Sequence, residues 1–382
     1  MHVLEAMLGG TRRYLMDVAL GLPRESFRQH VVISLRRAEQ GAKDVETLRA
    51  AGVEVTVLPM RRNLSPLTDL SCLAALRHII VAWRPHVIHG HSAKGGFLAR
   101  WAARGQRLHP RPVVIYSPHC FPFQMRTDPL RRALYLWLER LAAPWCGLIV
   151  AVSEAEAEIG QRAGLKPSQG YRVVPPGLNV SQYPMVPRYP RSQLGLPAGR
   201  LLGVVGALSP QKAPALALKA FQRIASDFPD TVMVFVGDGP LRGWLEAAAA
   251  AAKLANRVAF LGHRHDVPEL LPHFCAVVLS SRWEGMPYSL LEAMAAARPV
   301  VAPNIPGVAD AVVGAGAGIC FQSGSVPSLA AALAAMLALP ADVVAAFGTA
   351  GRRLVEAQYA VAASVSRLAE IYQDCAAKAI QS

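Results

Sequence analysis

A chain of 382 residues is too long for one ordinary hydrophobic core, so its length predicts two domains. Hydrophobic residues make up 52% of the chain and charged residues 17%, which excludes a disordered protein. Six cysteines without a Cys-x-x-Cys pair exclude a disulfide framework and indicate buried thiols in a reducing cytoplasm.

The basic charge is concentrated in the first half of the chain. Residues 1–190 contain 25 Lys and Arg against 13 Asp and Glu, whereas residues 191–382 contain 15 against 13. A basic half favours an anionic partner such as a lipid surface or a phosphorylated lipid, with a generally Arg-rich soluble protein as the alternative. Nucleic acid also fits the charge, but the chain has no aromatic-interleaved platform or known module for it. We therefore expect no nucleic-acid partner.

The first half alternates short Val-rich runs with helical segments, which predicts a parallel, doubly wound sheet with ligands at the carboxyl ends of its strands. The chain opens with a short strand, a glycine turn at Gly9 and Gly10, and a helix. Glycines there let a ligand approach backbone N–H groups closely. No secretory signal is evident at the start, and the Ala-rich residues 323–352 are expected to form soluble helices and not a membrane span.

Three histidines lie at the carboxyl ends of predicted strands of this half. His89 and His91 would share a face if the strand continued that far, so a metal pair is sterically possible. No third ligand is evident, and a closed zinc site needs more, so we expect no metal. His119 follows the predicted strand 113–116 and is a candidate site residue, with a satisfied structural histidine as the alternative.

A predicted helix over residues 128–141 carries apolar residues at helical spacing beside three arginines. They are Leu130, Leu134, Trp137, Leu138 and Leu141, with Arg131, Arg132 and Arg140 around them. Such a stripe either lies on an anionic membrane or is buried in the domain core, and the pattern leaves both open.

The stretch 277–303 reads as a buried strand, a loop, a helix that starts at Pro287, and a second buried strand. The N–H groups of Tyr288, Ser289 and Leu290 then predict an anion site at the helix N-terminus. Two carboxylates, Glu284 and Glu292, flank that site. A helix with acidic residues near its N-terminus for dipole reasons alone is the alternative.

The spacing Glu284-x7-Glu292, with Glu-Gly-x-Pro and Leu-Glu-Ala-Met inside it, resembles the donor-site motif of retaining glycosyltransferases of family 4. The loop from Gly206 resembles that family's Gly-Arg-Leu-x-x-x-Lys-Gly phosphate loop. It departs from the pattern at Ala207, where the family has Arg, and at Ala213, where it has Gly. Lys212 remains as the expected diphosphate cation.

The resemblance implies the roles of the other site residues. Glu284 would position the donor sugar and offset its developing charge, Glu292 would hold the ribose hydroxyls, and His119 would lie beside the sugar. The remaining donor-binding residues would be Gly9, Gly10, Gly206, Pro287, Tyr288, Ser289, Leu290, His263 and Arg264. The helix and lysine take the role of a metal, so no cofactor is expected.

We therefore predict an α/β protein of the GT-B type, with two Rossmann-like domains facing across a cleft. The predicted division is an acceptor domain 1–182, a linker 183–200, a donor domain 201–360 and a helix 361–382 that crosses back. The implied activity is retaining transfer of a hexose from a nucleotide diphosphate-sugar, with UDP favoured, to a lipid-linked or saccharide acceptor. The setting is bacterial polysaccharide or glycolipid synthesis in the cytoplasm, peripheral to the inner face of the membrane. A nucleotide-sugar epimerase or a non-catalytic sugar-binding relic is the alternative.

Overall fold

The computed structural model describes residues 1–38, 40–106, 108–125 and 127–381. They form two compact units, one comprising Met1–Gly177 and the chain from Val361 onward, and the other Leu178–Ala360. Both units are α/β, and each is built on one parallel sheet.

The first unit contains a seven-stranded sheet in the order β3-β2-β1-β4-β5-β6-β7, with every pair parallel. Short runs rich in Val and Ile form the central strands because helices cover both faces of the sheet. The strands are β1 His2–Leu4, β2 His30–Ile33, β3 Glu54–Val57, β4 Val87–His91, β5 Val113–Ser117, β6 Leu148–Ala151 and β7 Tyr171–Val173. The helices are α1 Gly9–Gly21, α2 Gly41–Ala50, α3 Pro66–Trp83, α4 Ser92–Ala103, α5 Pro129–Ala142 and α6 Glu154–Arg162.

The second unit contains a six-stranded parallel sheet in the order β10-β9-β8-β11-β12-β13. Its strands are β8 Arg200–Val205, β9 Thr231–Val236, β10 Val258–Phe260, β11 Phe274–Val278, β12 Val300–Pro303 and β13 Gly318–Phe321. Its helices are α7 Arg191–Leu194, α8 Pro214–Ile224, α9 Arg242–Ala251, α10 Val267–Leu270, α11 Tyr288–Ala295, α12 Val308–Ala315, α13 Val326–Ala338 and α14 Ala341–Gln358. The predicted pair of parallel α/β sheets is confirmed.

The last helix, α15 Val361–Gln381, packs in the first unit. Its Leu368 and Tyr372 are buried with Tyr14 of α1 and Ile115 of β5. The Ser364 hydroxyl donates to the Pro175 carbonyl oxygen at 2.7 Å.

Residues 183–200 are predicted to be a linker, but in the structure they do not form a separate spacer. The second unit comprises Leu178–Ala360, so the segment belongs to it and packs on it. Tyr183 is buried and its hydroxyl donates to Glu292 at 2.9 Å, while the Arg191 guanidinium donates to the Gly199 carbonyl oxygen at 2.7 Å. A Pro-rich composition indicated a spacer, but the side chains between the prolines find partners.

Among the described residues, no single helix is long and apolar enough to cross a membrane. Helices α13 and α14 are long and apolar enough for a membrane span only when taken together, and the chain bends by 111° at the break between them.

Candidate active site

In the second unit, a loop at the carboxyl end of β8 carries Lys212. The loop begins at Gly206, whose φ of 142° is readily adopted by glycine and costs other residues conformational free energy. It ends at Ala213, which adopts a left-handed φ of 47° before α8 begins. This conformation explains why a glycine suits the position, since a Cβ costs about 1–2 kcal/mol there. The loop therefore keeps its shape despite the Ala213 substitution.

A second loop, between β11 and α11, is hydrogen-bonded to the Lys212 loop. The Arg282 N–H donates to the Gln211 carbonyl oxygen at 2.8 Å, and the Gln211 amide donates to the Trp283 carbonyl oxygen at 3.2 Å. The Ser280 hydroxyl donates to the Lys212 carbonyl oxygen at 2.8 Å. These bonds fix the two loops against each other.

The two loops bring Lys212 and Glu284 into an ion pair, with the Lys212 Nζ 2.7 Å from the Glu284 Oε1. The Glu284 side chain is buried, whereas Lys212 is about one quarter exposed. Lys212 also lines a small cavity with Gly206, Ser281 and Ser289. The cation and the carboxylate predicted for the donor site are thus neighbours.

Helix α11 begins at Tyr288 with Pro287 as its N-cap, so Pro287 lies one position earlier than predicted. The Leu290 N–H, predicted to bind an anion, donates to the Pro287 carbonyl oxygen at 3.1 Å in this structure. A tight first turn uses that N–H internally. Ser289 lies in the same turn, where N–H groups have no acceptor within the helix, and it lines the cavity.

Two other predicted donor residues are engaged within the second unit. The Glu292 Oε1 accepts from the Tyr183 hydroxyl at 2.9 Å. Arg264 makes a two-pronged ion pair with Asp266 and donates to the Leu194 carbonyl oxygen at 3.2 Å. His263 lies beside His265, with ring centroids 4.7 Å apart. Arg264 thus has a carboxylate partner in Asp266, as Lys212 has in Glu284.

In the first unit, Gly9 and Gly10 begin α1 directly and do not form a separate turn before it. Gly9 has a φ of 54°, and a Cβ added there meets nothing within 4 Å. The pair is exposed and lies near the carboxyl end of β1. The backbone is accessible to a ligand at this point.

His119 follows β5 in a turn where two successive non-glycine residues have positive φ, 53° at His119 and 98° at Cys120. Such backbone costs about 1–3 kcal/mol per residue and persists only where the surroundings hold it. The Glu156 carboxylate holds this turn by accepting N–H groups from Cys120 at 2.5 Å and from Val152 at 2.8 Å. Burial raises the pKa of Glu156 to about 7.

Sequence reasoning missed Glu156 as part of the site. The available signal was Ser153-x-x-Glu156, a capping pattern that predicts only a helix start. Ser153 does cap α6, and its hydroxyl accepts the Glu156 N–H at 3.1 Å. The Glu156 side chain turns instead towards Val152 and Cys120, and nothing in the local pattern predicts the bond to Cys120.

The expectation that His89 and His91 lack a third partner is wrong. Strand β1 lies beside β4 and brings His2 to them, so that ligand atoms of the three rings lie within 4.8 Å of one another. The His89 Nε2 lies 2.8 Å from the Ser117 hydroxyl, which donates its one proton to the Val150 carbonyl oxygen. Ser117 therefore accepts from the Nε2–H of His89.

With its proton on Nε2, the His89 Nδ1 accepts from the Tyr372 hydroxyl at 2.6 Å. A neutral imidazole has one donor and one acceptor, and both are used. Both ring nitrogens of His89 are thus hydrogen-bonded in this structure.

Two carboxylates at the carboxyl edge of this sheet have an oxygen without a hydrogen-bond partner among the described residues. Glu5 is 4% exposed, and its Oε2 lies 3.4 Å from the Arg37 Nη1. Its Oε1 is the bare oxygen, meaning that it has no hydrogen-bond partner among the described residues. The Asp69 Oδ2 pairs with the Lys94 Nζ at 2.6 Å, and its Oδ1 is bare. Sequence reasoning did not identify these residues. Bare buried oxygens of this kind suit a ligand that donates hydrogen bonds, such as a hydroxyl.

Helix α5 exposes most of its apolar stripe. Leu130 is 84% and Trp137 57% exposed, and Leu134 and Leu141 are exposed as well. Core packing is therefore excluded for these four side chains in the first unit. The opposite face is anchored through Glu139, which pairs with the fully buried Arg100 at 2.9 Å.

Comparison with known proteins identifies a glycosyltransferase. Residues 9–177 match the family described as "Glycosyl transferase 4-like domain", and residues 191–354 match "Glycosyl transferases group 1". The chain is 30% identical to the UDP-Gal:alpha-D-GlcNAc-diphosphoundecaprenol alpha-1,3-galactosyltransferase of Escherichia coli over 314 residues, 80% of this chain and 79% of that protein. The chain belongs to the GT-B glycosyltransferases of the family 4-like type.

Solved structures confirm the GT-B fold. Anabaena Alr3699/HepE in complex with UDP and glucose has a TM-score of 0.79 at 21% identity, covering 98% of this chain and 100% of that chain. Sucrose-phosphate synthase from Thermosynechococcus elongatus has a TM-score of 0.81 at 19% identity, covering 98% and 96%.

Proposed function

We propose that this glycosyltransferase moves a hexose from a UDP-sugar, with retention at the anomeric carbon, to a lipid-linked or saccharide acceptor. The observation that carries the proposal is the Lys212–Glu284 pair beside the first turn of α11. The Escherichia coli relative is named for a UDP-sugar donor and a diphosphoundecaprenol acceptor, which supports both halves of the proposal.

The proposed chemistry is the handling of charge as the glycosidic bond breaks. Negative charge grows on the departing diphosphate and positive charge on the sugar ring. Lys212 and the first-turn N–H groups of α11 stabilise the diphosphate, each by a few kcal/mol in a site without water. Glu284 positions the sugar and offsets the ring charge, and His119 contacts the sugar. Glu292 accepts from the ribose hydroxyls, and no covalent nucleophile is required.

On the acceptor side, the bare oxygens of Glu5 and Asp69 suit the hydroxyl groups of a saccharide. Burial raises the pKa of Glu5, although Arg37, Arg62 and Lys94 oppose this effect. The three cations suit a phosphate attached to that saccharide. This combination favours a glycosyl diphosphate lipid, and so a place in the synthesis of bacterial surface polysaccharide or glycolipid.

We further propose that α5 docks the enzyme on an anionic membrane at the cytoplasmic face. Its exposed Leu130, Leu134, Trp137 and Leu141 form one apolar face, and Arg131 beside them is also exposed. The first half of the chain carries the basic surplus that an anionic lipid surface attracts. Docking delivers a lipid-linked acceptor to the enzyme.

The test is to incubate the purified chain with a panel of UDP-sugars and acceptors and to analyse products by mass spectrometry and NMR. We expect a transferred hexose whose anomeric configuration matches that of the donor. An altered UDP-sugar without transfer would instead favour the epimerase, and tight binding without turnover the non-catalytic relic.

A further inference from the structure

Behind His119 lies a chain of three hydrogen-bonded imidazoles. The His119 Nε2 lies 3.2 Å from the His91 Nδ1, and the His91 Nε2 lies 3.1 Å from the His2 Nδ1. His2 and His91 are almost fully buried, whereas His119 is partly exposed at the end of the chain. One array of rings thus connects the interior of the first unit with a predicted site residue.

The sheet places these three rings. His91 ends β4 opposite Leu4 of β1 and Ser117 of β5 in parallel register. His2 stands two residues before Leu4, and His119 two residues after Ser117. The neighbouring parallel strands β1 and β4 hold His2 and His91, and the turn that follows β5 brings His119 to His91.

All three rings are neutral near pH 7. Burial lowers the pKa of His2 and of His91 well below 6.5, and it lowers the pKa of His119 to about 4. A neutral imidazole carries one proton, on either Nδ1 or Nε2. Each of the two N–H···N bonds needs one donor, so the tautomers of the three rings depend on one another.

Only two proton arrangements satisfy both bonds. In one, His2 donates to His91, His91 donates to the His119 Nε2, and the His119 proton lies on its Nδ1. In the other, every bond is reversed, and the His119 Nδ1 is a bare acceptor. A lone His119 would exchange between tautomers freely, whereas in this chain it changes only if the other two rings change with it.

We propose that His91 and His2 are positioning residues that hold His119 in one tautomer and one ring orientation. This proposal rests on the role of His119 proposed above, and it adds the hydrogen bonds that orient the His119 ring before the sugar binds. A fixed ring presents the same group to every substrate molecule, and a donor site gains from groups already oriented before binding.

The surroundings of His119 support this arrangement. The Tyr14 ring meets the His119 ring edge-on at a centroid distance of 4.6 Å. Glu156 holds the strained turn through the Cys120 N–H. Backbone and ring packing thus restrain where the imidazole lies, while the hydrogen bond between His91 and His119 links the position of the His119 proton to that of the His91 proton.

The neighbouring Tyr372 offers a matched control. Its hydroxyl bonds to His89, whose other nitrogen bonds to Ser117, so this pair lies in the same buried cluster but outside the three-ring chain. Tyr372→Phe removes one buried hydroxyl and leaves His2, His91 and His119 in place.

The experiment is long-range 1H–15N NMR on the full chain labelled with 15N-histidine, with the His119 signals assigned by their loss in His119→Gln. In the wild type we expect widely separated Nδ1 and Nε2 shifts for His119, the signature of one tautomer. In His91→Phe we expect these shifts to move together as the two tautomers average. Tyr372→Phe should leave them unchanged.

Turnover supplies the second measurement. We expect His91→Phe to lower kcat about tenfold, less than the roughly 100-fold that a 1 Å misplacement can cost, with donor affinity unchanged. His91→Gln, whose amide can donate and accept, should restore part of both the tautomer preference and kcat. If His91→Phe does not fold, His2→Phe, which cannot hydrogen-bond to His91, interrupts the chain at its far end and is measured in the same way.

Unchanged His119 shifts in both His91→Phe and His2→Phe would overturn the proposal. The NMR signature does not depend on turnover, so the two proposals can fail separately. A locked tautomer in a chain that transfers no sugar contradicts the proposed function alone, whereas full activity with averaged shifts contradicts the positioning role alone.

Discussion

The Lys212 Nζ lies 2.7 Å from the Glu284 Oε1, although the two residues are 72 positions apart in the sequence. Each group is therefore the other's counterion when no donor is bound. A diphosphate that binds Lys212 must compete with the Glu284 carboxylate for the ammonium group. A sugar that hydrogen-bonds to Glu284 weakens the ion pair and makes Lys212 available to the diphosphate. This competition predicts opposite effects on UDP binding when Glu284 and when Lys212 is replaced.

We expect Glu284→Gln to reduce transfer by at least about 100-fold, because the developing charge on the sugar loses its partner. The same variant should bind free UDP as tightly as the wild type or more tightly, because Lys212 no longer has a competing carboxylate. Turnover and calorimetry measure the two effects. Near wild-type turnover would show that Glu284 is not the catalytic carboxylate, and an unchanged unfolding midpoint controls for the fold.

We expect Lys212→Ala to weaken binding of free UDP about 10- to 100-fold, since a hydrogen bond to a charged group contributes about 1.5–3 kcal/mol. Ala207 provides no second cation in the same loop. Lys219→Ala, an exposed lysine on α8, is the matched control for removal of one positive charge. Equal UDP affinity in wild type and Lys212→Ala would place the diphosphate elsewhere.

We expect the protein to sediment with anionic liposomes at low salt and to dissociate as salt rises past physiological strength. Each basic residue near such a surface contributes about 1 kcal/mol, and the Debye length is only about 8 Å at 0.15 M salt. Trp137→Ser should weaken the binding, whereas Trp244→Ser on α9, which removes another exposed Trp, should not. Absence of binding to anionic liposomes at low salt would refute the docking role of α5.

We expect Glu156 to make stability depend on pH. Burial raises its pKa from 4.5 to about 7, so between these values the folded chain keeps a proton that the unfolded chain has lost. The free energy of unfolding of the wild type should therefore fall relative to Glu156→Gln as pH rises, by up to about 3 kcal/mol.

Urea unfolding at pH 5, 6, 7 and 8 measures this difference. Glu158→Gln is the control, because Glu158 is an exposed residue of the same helix that pairs with Arg162. A difference between wild type and Glu156→Gln that does not change with pH would contradict a raised pKa for the buried carboxyl.

The strands and the helix starts could be predicted because their causes are local. Strand β5 begins with the three β-branched residues 113–115, and Pro287 precedes a helix because its fixed φ suits that position. The predictions failed where a side chain found a distant partner. The Pro-rich segment near Tyr183 reads as a spacer, yet the Tyr183 hydroxyl bonds to Glu292, 109 positions away.

By itself, the sequence determined the two parallel sheets and the loops that carry Lys212, Glu284 and His119, because short-range patterns decide which residues lie on strands, helices and turns. Only the tertiary structure decided that His2 would join His91, that Glu156 would hold the His119 turn, and that the apolar face of α5 would stay exposed. Parallel strands are joined by crossovers, so their neighbours come from distant parts of the chain. Whether a face is covered depends on what else packs there, which no local pattern records.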